Sequence, residues 1–243
     1  MQHFAGEAIV LTSLPHGEHG AVVRFLTEAD GLRAGYVAGG RGKAKRALLH
    51  PGNRVQLRLQ ARDSGQLASA SLELLESRAL LAFEPQPAAV LAYLTALLAA
   101  TLAEGAPHPR LCGALDALLA GLAAGLSAAT VRANVARFEL LLLAESGFGL
   151  DLSACALGGA ADDLAFVSPN SGRAVSRAKA AGQPWAGQLL ALPRFLCQGG
   201  SADAAAAEAA LALSGHFLRR HWPGSAALQQ LRVRALGSEP RKP

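Results

Sequence analysis

Cysteine, aromatic residues and long apolar runs are all scarce in this chain, and each scarcity closes off a class of protein. Three cysteines (Cys112, Cys155 and Cys197), odd in number and far apart, make no disulfide framework, so a reducing cytoplasm is expected. Phe, Trp and Tyr make up 5% of the residues, which leaves little for base stacking. The most apolar run, Ala88–Ala103, is interrupted by Tyr93, Thr95 and Thr101. It is short and alanine-rich for a membrane span and reads as a buried helix. His3 and Glu7 stand where a secretory signal needs a basic start, so no leader is expected.

Acids are missing where cations crowd. From Arg24 to Arg62 nine cations (Arg24, Arg33, Arg41, Lys43, Lys45, Arg46, Arg54, Arg58 and Arg62) face only Glu28 and Asp30. From His216 onward Arg219, Arg220, Arg232, Arg234, Arg241 and Lys242 face only Glu239, whereas between Leu80 and Gly215 acids exceed bases by ten to seven. Two basic regions around a mildly acidic middle, within a net charge of +5, form the footprint of a chain that holds a polyanion at both ends of its fold.

The densest stretch is Gly39-Gly40-Arg41-Gly42-Lys43-Ala44-Lys45-Arg46. It reads as a mobile basic loop between two strands: glycine lets the backbone approach closely, and Lys and Arg supply charge and donors. Taken alone, it fits a grip on a polyanion and a merely solubilising loop equally well.

Residues 1–80 read as β structure, with runs at Ala5–Leu11, Ala21–Thr27, Leu32–Val37, Val55–Gln60 and Leu67–Leu75. Turn signals separate them at Pro15-His16-Gly17, Asp30-Gly31, Pro51-Gly52-Asn53 and Asp63-Ser64-Gly65. Five short strands without a crossover helix predict a small antiparallel barrel of the OB type, whose face and loops commonly bind single strands. Helices follow at about 86–104, 110–125 and 128–146, the third capped by Ser127 and ended by Gly147. In that helix Val131, Val135, Phe138 and Leu142 mark a core stripe, and Arg132 and Arg137 fall off it toward solvent. Residues 148–195 read as an irregular insertion with at most a small hairpin. A helix opened by Ser201 spans about 202–221, and a short basic helix near 225–236 precedes a tail expected to be disordered. The expected division is an OB domain at 1–80, a helical domain at 81–147 and 196–243, and the insertion at 148–195. The fold class is α+β.

Enzymatic signatures fail on inspection. A nucleotide-binding P-loop needs glycine where Val37 stands and Ser or Thr where Ala44 stands, and a dinucleotide fingerprint needs glycine where Lys45 stands. His16-Gly17-Glu18 begins a zinc-deaminase signature that nothing completes. Cys155 is followed three residues on by Gly158, so a tetrahedral zinc site lacks its ligands. No catalytic residue, metal ligand or cofactor is assigned.

The order of several motifs resembles one family. Glu7-Ala8-Ile9-Val10-Leu11, Pro15-His16-Gly17-Glu18, Phe25-Leu26-Thr27 with Gly31, and the Gly39-Gly40-Arg41 loop running to Leu48-Leu49 and Pro51-Gly52 are similar to the start of the bacterial recombination mediators of the RecO family. Phe138–Leu143 followed by Gly147–Leu152, then Cys155 and the block Val167–Val175, continue the resemblance over nearly the whole chain. It implies a non-catalytic DNA repair and recombination protein with an OB-fold, a helical domain and a zinc-ribbon-like insertion. Such a protein binds single- and double-stranded DNA and anneals strands. It also loads recombinase onto strands coated with single-strand-binding protein, with RecR as partner. Of the cysteines implied for the insertion only Cys155 remains, with Gly158 and Ser176 at two other positions, so zinc is not carried over. Arg41, Lys43, Lys45 and Arg46 are the candidate DNA contacts, with Arg33, Arg54 and Arg58 extending the track. Arg132, Arg219 and Arg220 are candidates for the rim of a groove that takes the acidic tail of single-strand-binding protein. The alternative is an adaptor whose basic loop meets an acidic protein.

Overall fold

The computed structural model describes residues 2–61, 66–223 and 226–237. The expected turn at 63–65, the cation Arg62, and the tail from 238 with Arg241 and Lys242 lie outside them. In chain order the elements are strands β1 (Gln2–His16), β2 (Gly20–Thr27) and β3 (Gly31–Val37), helix α1 (Lys43–Leu48), and strands β4 (Arg54–Ala61) and β5 (Ala68–Glu76). A 3-10 turn (Ala79–Phe83) leads to helices α2 (Pro85–Thr101), α3 (Pro109–Ala123) and α4 (Ala128–Glu145). Strands β6 (Leu164–Val167) and β7 (Ala174–Ser176), helix α5 (Arg177–Ala180) and strand β8 (Leu190–Ala191) follow, then helices α6 (Phe195–Gln198), α7 (Ala204–His221) and α8 (Ala226–Leu236). One compact unit comprises residues 1–125 with 226–237, and the other is built on residues 126–225. No helix among the described residues is long and apolar enough to cross a membrane.

The first unit contains the expected five-stranded closed barrel, in the order β1-β2-β3-β5-β4, together with α2, α3 and α8. β1 is longer than its apolar run because it serves two neighbours. Gln2–Ile9 pair with β4, Ala8–His16 pair with β2, and the register shifts between Val10 and Thr12. Such a bulge bends the strand enough to pass from one face of the barrel to the next. One expectation is corrected: the pairing is not wholly antiparallel, since β3 meets β5 in parallel through Gly35↔Ala68 and Tyr36↔Ser69. The strand period of two turns Val10, Val23, Phe25, Val55, Leu57 and Leu59 inward, all at most 1% exposed. Gly31, entering β3, has φ +63°, and a Cβ there would lie 1.7 Å from the Ala106 carbonyl oxygen. Only glycine fits this corner.

Fully buried Asn53 ties the barrel to the segments around it. Its amide nitrogen donates to the carbonyls of Ala47 and Leu48 at 3.0 and 3.1 Å, and its amide oxygen accepts the Arg78 N–H at 2.9 Å. Arg78, also buried, donates to the Asp116 carbonyl and carboxylate and to Glu76. Pairing on this scale is what allows a guanidinium inside a small domain.

In the second unit Ser127 caps α4 by accepting the Thr130 N–H, and Gly147 follows the helix with φ +83°. The cap of α7 is Asp203, not Ser201, and its carboxylate accepts the Ala206 N–H at 2.7 Å. Val131, Val135, Phe138 and Leu142 are buried as the stripe requires, and Glu139, buried beside them, accepts the Ser214 hydroxyl of α7. Arg137 is not a solvent-facing side chain. It donates to the Gly200 carbonyl at 2.6 Å and lies over the Phe195 ring, 4.7 Å from its centre.

The insertion is more regular than its composition suggests. β6 and β7 form the anticipated hairpin, and β8 adds a third strand on the other side of β6. Cys155, Val175 and Ala180 form its core, packed by Leu164, Phe166, Trp185 and Leu189. Burial pushes the Cys155 thiol up, but the amides of Ser176, Leu157 and Gly159 and the Ser176 hydroxyl together outweigh it and bring it down to about 7. The donors at this corner do not fit a zinc ion. A single thiol faces a serine hydroxyl at 3.6 Å, and no group of three or more His, Cys, Asp or Glu side chains among the described residues is placed to hold a metal.

Two stability predictions follow from these contacts. Asn53→Leu leaves the buried Arg78 N–H without a partner and two part-buried carbonyls without this donor, and should cost about 1–3 kcal/mol in urea unfolding; a loss under about 0.5 kcal/mol would remove Asn53 from this role. The thiol of Cys155 is held below its ordinary value of 9.0. Its hydrogen bonds therefore stabilise fully above that value, and their contribution is lost as the pH falls through about 7. The wild type should gain stability over Cys155→Ala between about pH 6 and pH 9, and a chelator should leave both melting curves in place. A chelator-induced drop in melting temperature would reveal a metal.

Candidate nucleic-acid interface

The connection from β3 to β4 crosses the end of the barrel closed by the Gly17–His19 turn between β1 and β2. Gly40 sits so close to β2 that a Cβ would lie 2.8 Å from that of Ala21. The Arg41 N–H donates to the His19 carbonyl at 3.1 Å, and the Arg41 guanidinium donates to the carbonyls of Gly17 and Glu18 at 3.2 and 3.0 Å. Lys45 donates from Nζ to the Ala38 carbonyl at 2.7 Å.

The second half of the basic stretch is a helix rather than a loop. Lys43-Ala44-Lys45-Arg46-Ala47-Leu48 are all good helix formers, and they make the short turn of α1 once Gly42 has ended the glycine run. Leu49 is 3% exposed and pins the end of this turn into the barrel core. The chain from Arg41 to Ala47 is exposed, and Lys45 and Arg46 occupy the last turn, where the helix dipole favours cations.

No carboxylate among the described residues pairs with Arg41, Lys43, Lys45 or Arg46; the two bonded side chains, Arg41 and Lys45, give their protons to backbone carbonyls. Positive charge here is held in place without being neutralised. The Glu18 carboxylate, in the same turn, lies 3.8 Å from His19. Sequence reasoning missed this turn as the support for Arg41, because its contribution is made by backbone carbonyls that any residue supplies.

The remaining candidates divide. Arg54 is taken up internally by Glu7 at 2.8 Å, Glu76 at 3.4 Å and Asp116 at 3.8 Å. The hydrogen bond to Glu7 raises its proton affinity against partial burial, and the charges of Asp116, Glu7 and Glu76 add to it. Arg33 lies 3.9 Å from Asp30 and is three-quarters covered. Arg58 is exposed on the outer face of β4, flanked across the sheet by the small residues Ala5 and Ser71, with no ion pair among the described residues. Arg24, outward on β2, donates to the Ala99 carbonyl near the end of α2. Phe25 is fully buried, whereas Tyr36 is half-buried with its ring 5.9 Å from that of His16.

In the second unit Arg132 pairs with Glu208 at 3.5 Å, near the start of α7, and its Nε is buried without a hydrogen-bond partner among the described residues. Arg219 and Arg220 stand in the last turn of α7, where Arg220 donates to the carbonyls of Pro169 and Asn170 at 2.7 Å. Eleven residues of helix separate Glu208 from Arg219, about 16 Å along the axis. The three arginines therefore do not share one rim.

Comparison with known proteins agrees with this arrangement of barrel and helices. The model for Recombination protein O N terminal matches residues 1–78, and that for Recombination protein O C terminal matches residues 84–227. The chain is 45% identical to the DNA repair protein RecO of Phenylobacterium zucineum over 217 residues, 88% of this chain and 87% of that one. It is 42% identical to the RecO protein of Mesorhizobium japonicum over 234 residues, covering 94% and 89% of the two chains. With that of Paracoccus denitrificans it shares 44% identity over 216 residues, 89% and 86% of the respective lengths. With the closed barrel at its N-terminal end and matches over nearly its full length, the chain belongs to the RecO family of DNA repair proteins.

Proposed function

We propose that the protein is a non-catalytic recombination mediator that captures single- and double-stranded DNA on the α1 end of its barrel. The observation that carries this reading is the group Arg41, Lys43, Lys45 and Arg46, exposed together on an anchored segment with no carboxylate partner among the described residues. Arg58 extends the contact; Arg54 is left to the internal network and Arg33 contributes from the edge. Binding is driven by release of counterions from phosphates, so it is steeply salt-dependent and nearly blind to sequence. Screening the charge of two strands at once lets them approach and anneal.

The family relationship supports the finer parts of the proposal: loading of recombinase onto strands coated with single-strand-binding protein, cooperation with RecR, and action in the cytoplasm at the nucleoid. The acidic tail of single-strand-binding protein would engage one end of α7, at Arg132 or at Arg219 and Arg220.

Replacing Lys43, Lys45 and Arg46 together with alanine should weaken single-strand binding at low salt and reduce the slope of log affinity against log salt by about two, at roughly 0.7 per lost phosphate contact. Unchanged low-salt affinity would remove the segment from the interface. Arg54→Ala, in contrast, should cost about 1 kcal/mol or less of stability in urea unfolding and leave DNA affinity as it was.

A synthetic tail peptide titrated against Arg132→Ala and Arg220→Ala should lose about tenfold in affinity for one variant only, as removal of a charged hydrogen bond implies. Equal binding to both variants would place the tail elsewhere.

A further inference from the structure

Beside the basic segment the barrel end opens into a cleft of about 440 Å³. Pro15 and Pro51 give it apolar sides, the almost wholly buried Ala21 and Leu49 lie at its floor, and Arg41 and Arg46 stand among its lining residues. The volume lies within the usual range of small-molecule sites, about 300–1,000 Å³. Its polar groups are few: Ser13, and His50, whose Nδ1 is 2.9 Å from the Pro51 carbonyl oxygen.

We propose that this cleft seats one unstacked nucleobase of a bound single strand, with the adjoining phosphates held by Arg41 and Arg46. The inference rests on the reading of this barrel end as the DNA-binding site and adds the chemistry of what enters it. A nucleotide is an apolar plate joined to an anion. The cleft offers the complementary pair, an open aliphatic shelf between Pro15 and Pro51 beside two guanidiniums. The proline sides accept any base, since every base has an apolar face, provided that the guanidiniums of Arg41 and Arg46 are engaged by the phosphates and not by base edges.

The seat also changes which nucleic acid is favoured. Duplex DNA carries one charge per roughly 1.7 Å of axis, twice the density of either of its strands alone, so a purely electrostatic surface prefers duplex. A base stacked and paired in a helix cannot enter the cleft without unstacking. Base capture therefore shifts the preference toward single strands, and it does so without the aromatic platforms that this chain lacks.

The test compares a thymidine strand of roughly 20 nucleotides with an abasic strand of equal length, read by fluorescence anisotropy at fixed salt. Wild-type protein should bind the abasic strand about fivefold to tenfold more weakly, as loss of base contacts costs in single-strand binders. Ser13→Ile, which narrows the cleft, should weaken the thymidine strand and bring the two closer together, whereas Ser13→Ala should keep them apart. The variant lacking Lys43, Lys45 and Arg46 should weaken both strands by the same factor. Equal binding of the two strands by wild type overturns the seat and leaves charge capture standing; binding of neither overturns both. Should Ser13→Ile fail to fold, photocross-linking of a 5-iodouracil strand to the wild type decides. Adducts in the peptide holding His50 and Pro51 support the seat, and adducts found only elsewhere overturn it.

Discussion

Strand β1 has two partners, and the position of every group at the candidate interface follows from that. Its first half pairs with β4 and its second half with β2, so the sheet closes and the β1–β2 turn comes to the same end as the β3–β4 connection. Closure removes the long free edges that a five-stranded sheet would otherwise leave to solvent. It also sets the carbonyls of Gly17, Glu18 and His19 as a rail beside the basic segment. Arg41 bonds to this rail through both its backbone and its side chain. Without the register shift near Val10 and Thr12 the strand would run straight, and the rail would not meet the basic segment.

Arginine does two opposite things in this molecule, and the neighbours decide which. Arg78 and Arg54 share Glu76 and Asp116, so their charge is spent within the protein. Arg137 is consumed by carbonyls and an aromatic face. At α1 the hydrogen bonds go to carbonyls alone, which orient a cation while leaving its charge in place. Orientation matters because long side chains lose rotamer entropy when they grip any ligand, and part of that loss is already met in the free protein. A short helix anchored by Leu49 serves the same end for the backbone of Lys43 and Arg46.

What could be read in advance divides along the same physical line. The five strands were legible because a half-buried strand repeats every two residues, and the main helices because alanine and leucine run at helical spacing between breakers. The extra length of β1 was not, since its two ends carry Gln2, His3 and Pro15 and are held by backbone pairing rather than by burial of a periodic face. α1 was read as loop because three glycines precede it, although the six residues after Gly42 all favour helix. The third strand of the insertion, two residues long, carries no pattern at all. At the interface the cation cluster was plain, but the fate of Arg54 was not. Its partners Glu7, Glu76 and Asp116 are distant in sequence, and only closure of the barrel and packing of α3 bring them together.

On the proposed reading, the scarcity of aromatics and the separation of the arginines have a common sense. A mediator that must hold any sequence and later release it gains little from strong base-specific contacts, which would slow release and favour some strands over others. Phosphate capture by preorganised cations is sequence-blind and yields to competition by another polyanion-binding protein, because its strength depends on released counterions rather than on buried contacts. Internal pairing of Arg54 then leaves Arg41, Lys43, Lys45 and Arg46 as the grouped cations with no carboxylate partner among the described residues. Spread over the whole surface, the same charge would bind DNA in many registers and hold no strand in position for a partner. Concentrating positive charge at the end where β1 brings the backbone carbonyls together is therefore what converts a mildly basic protein into one with a defined polyanion site.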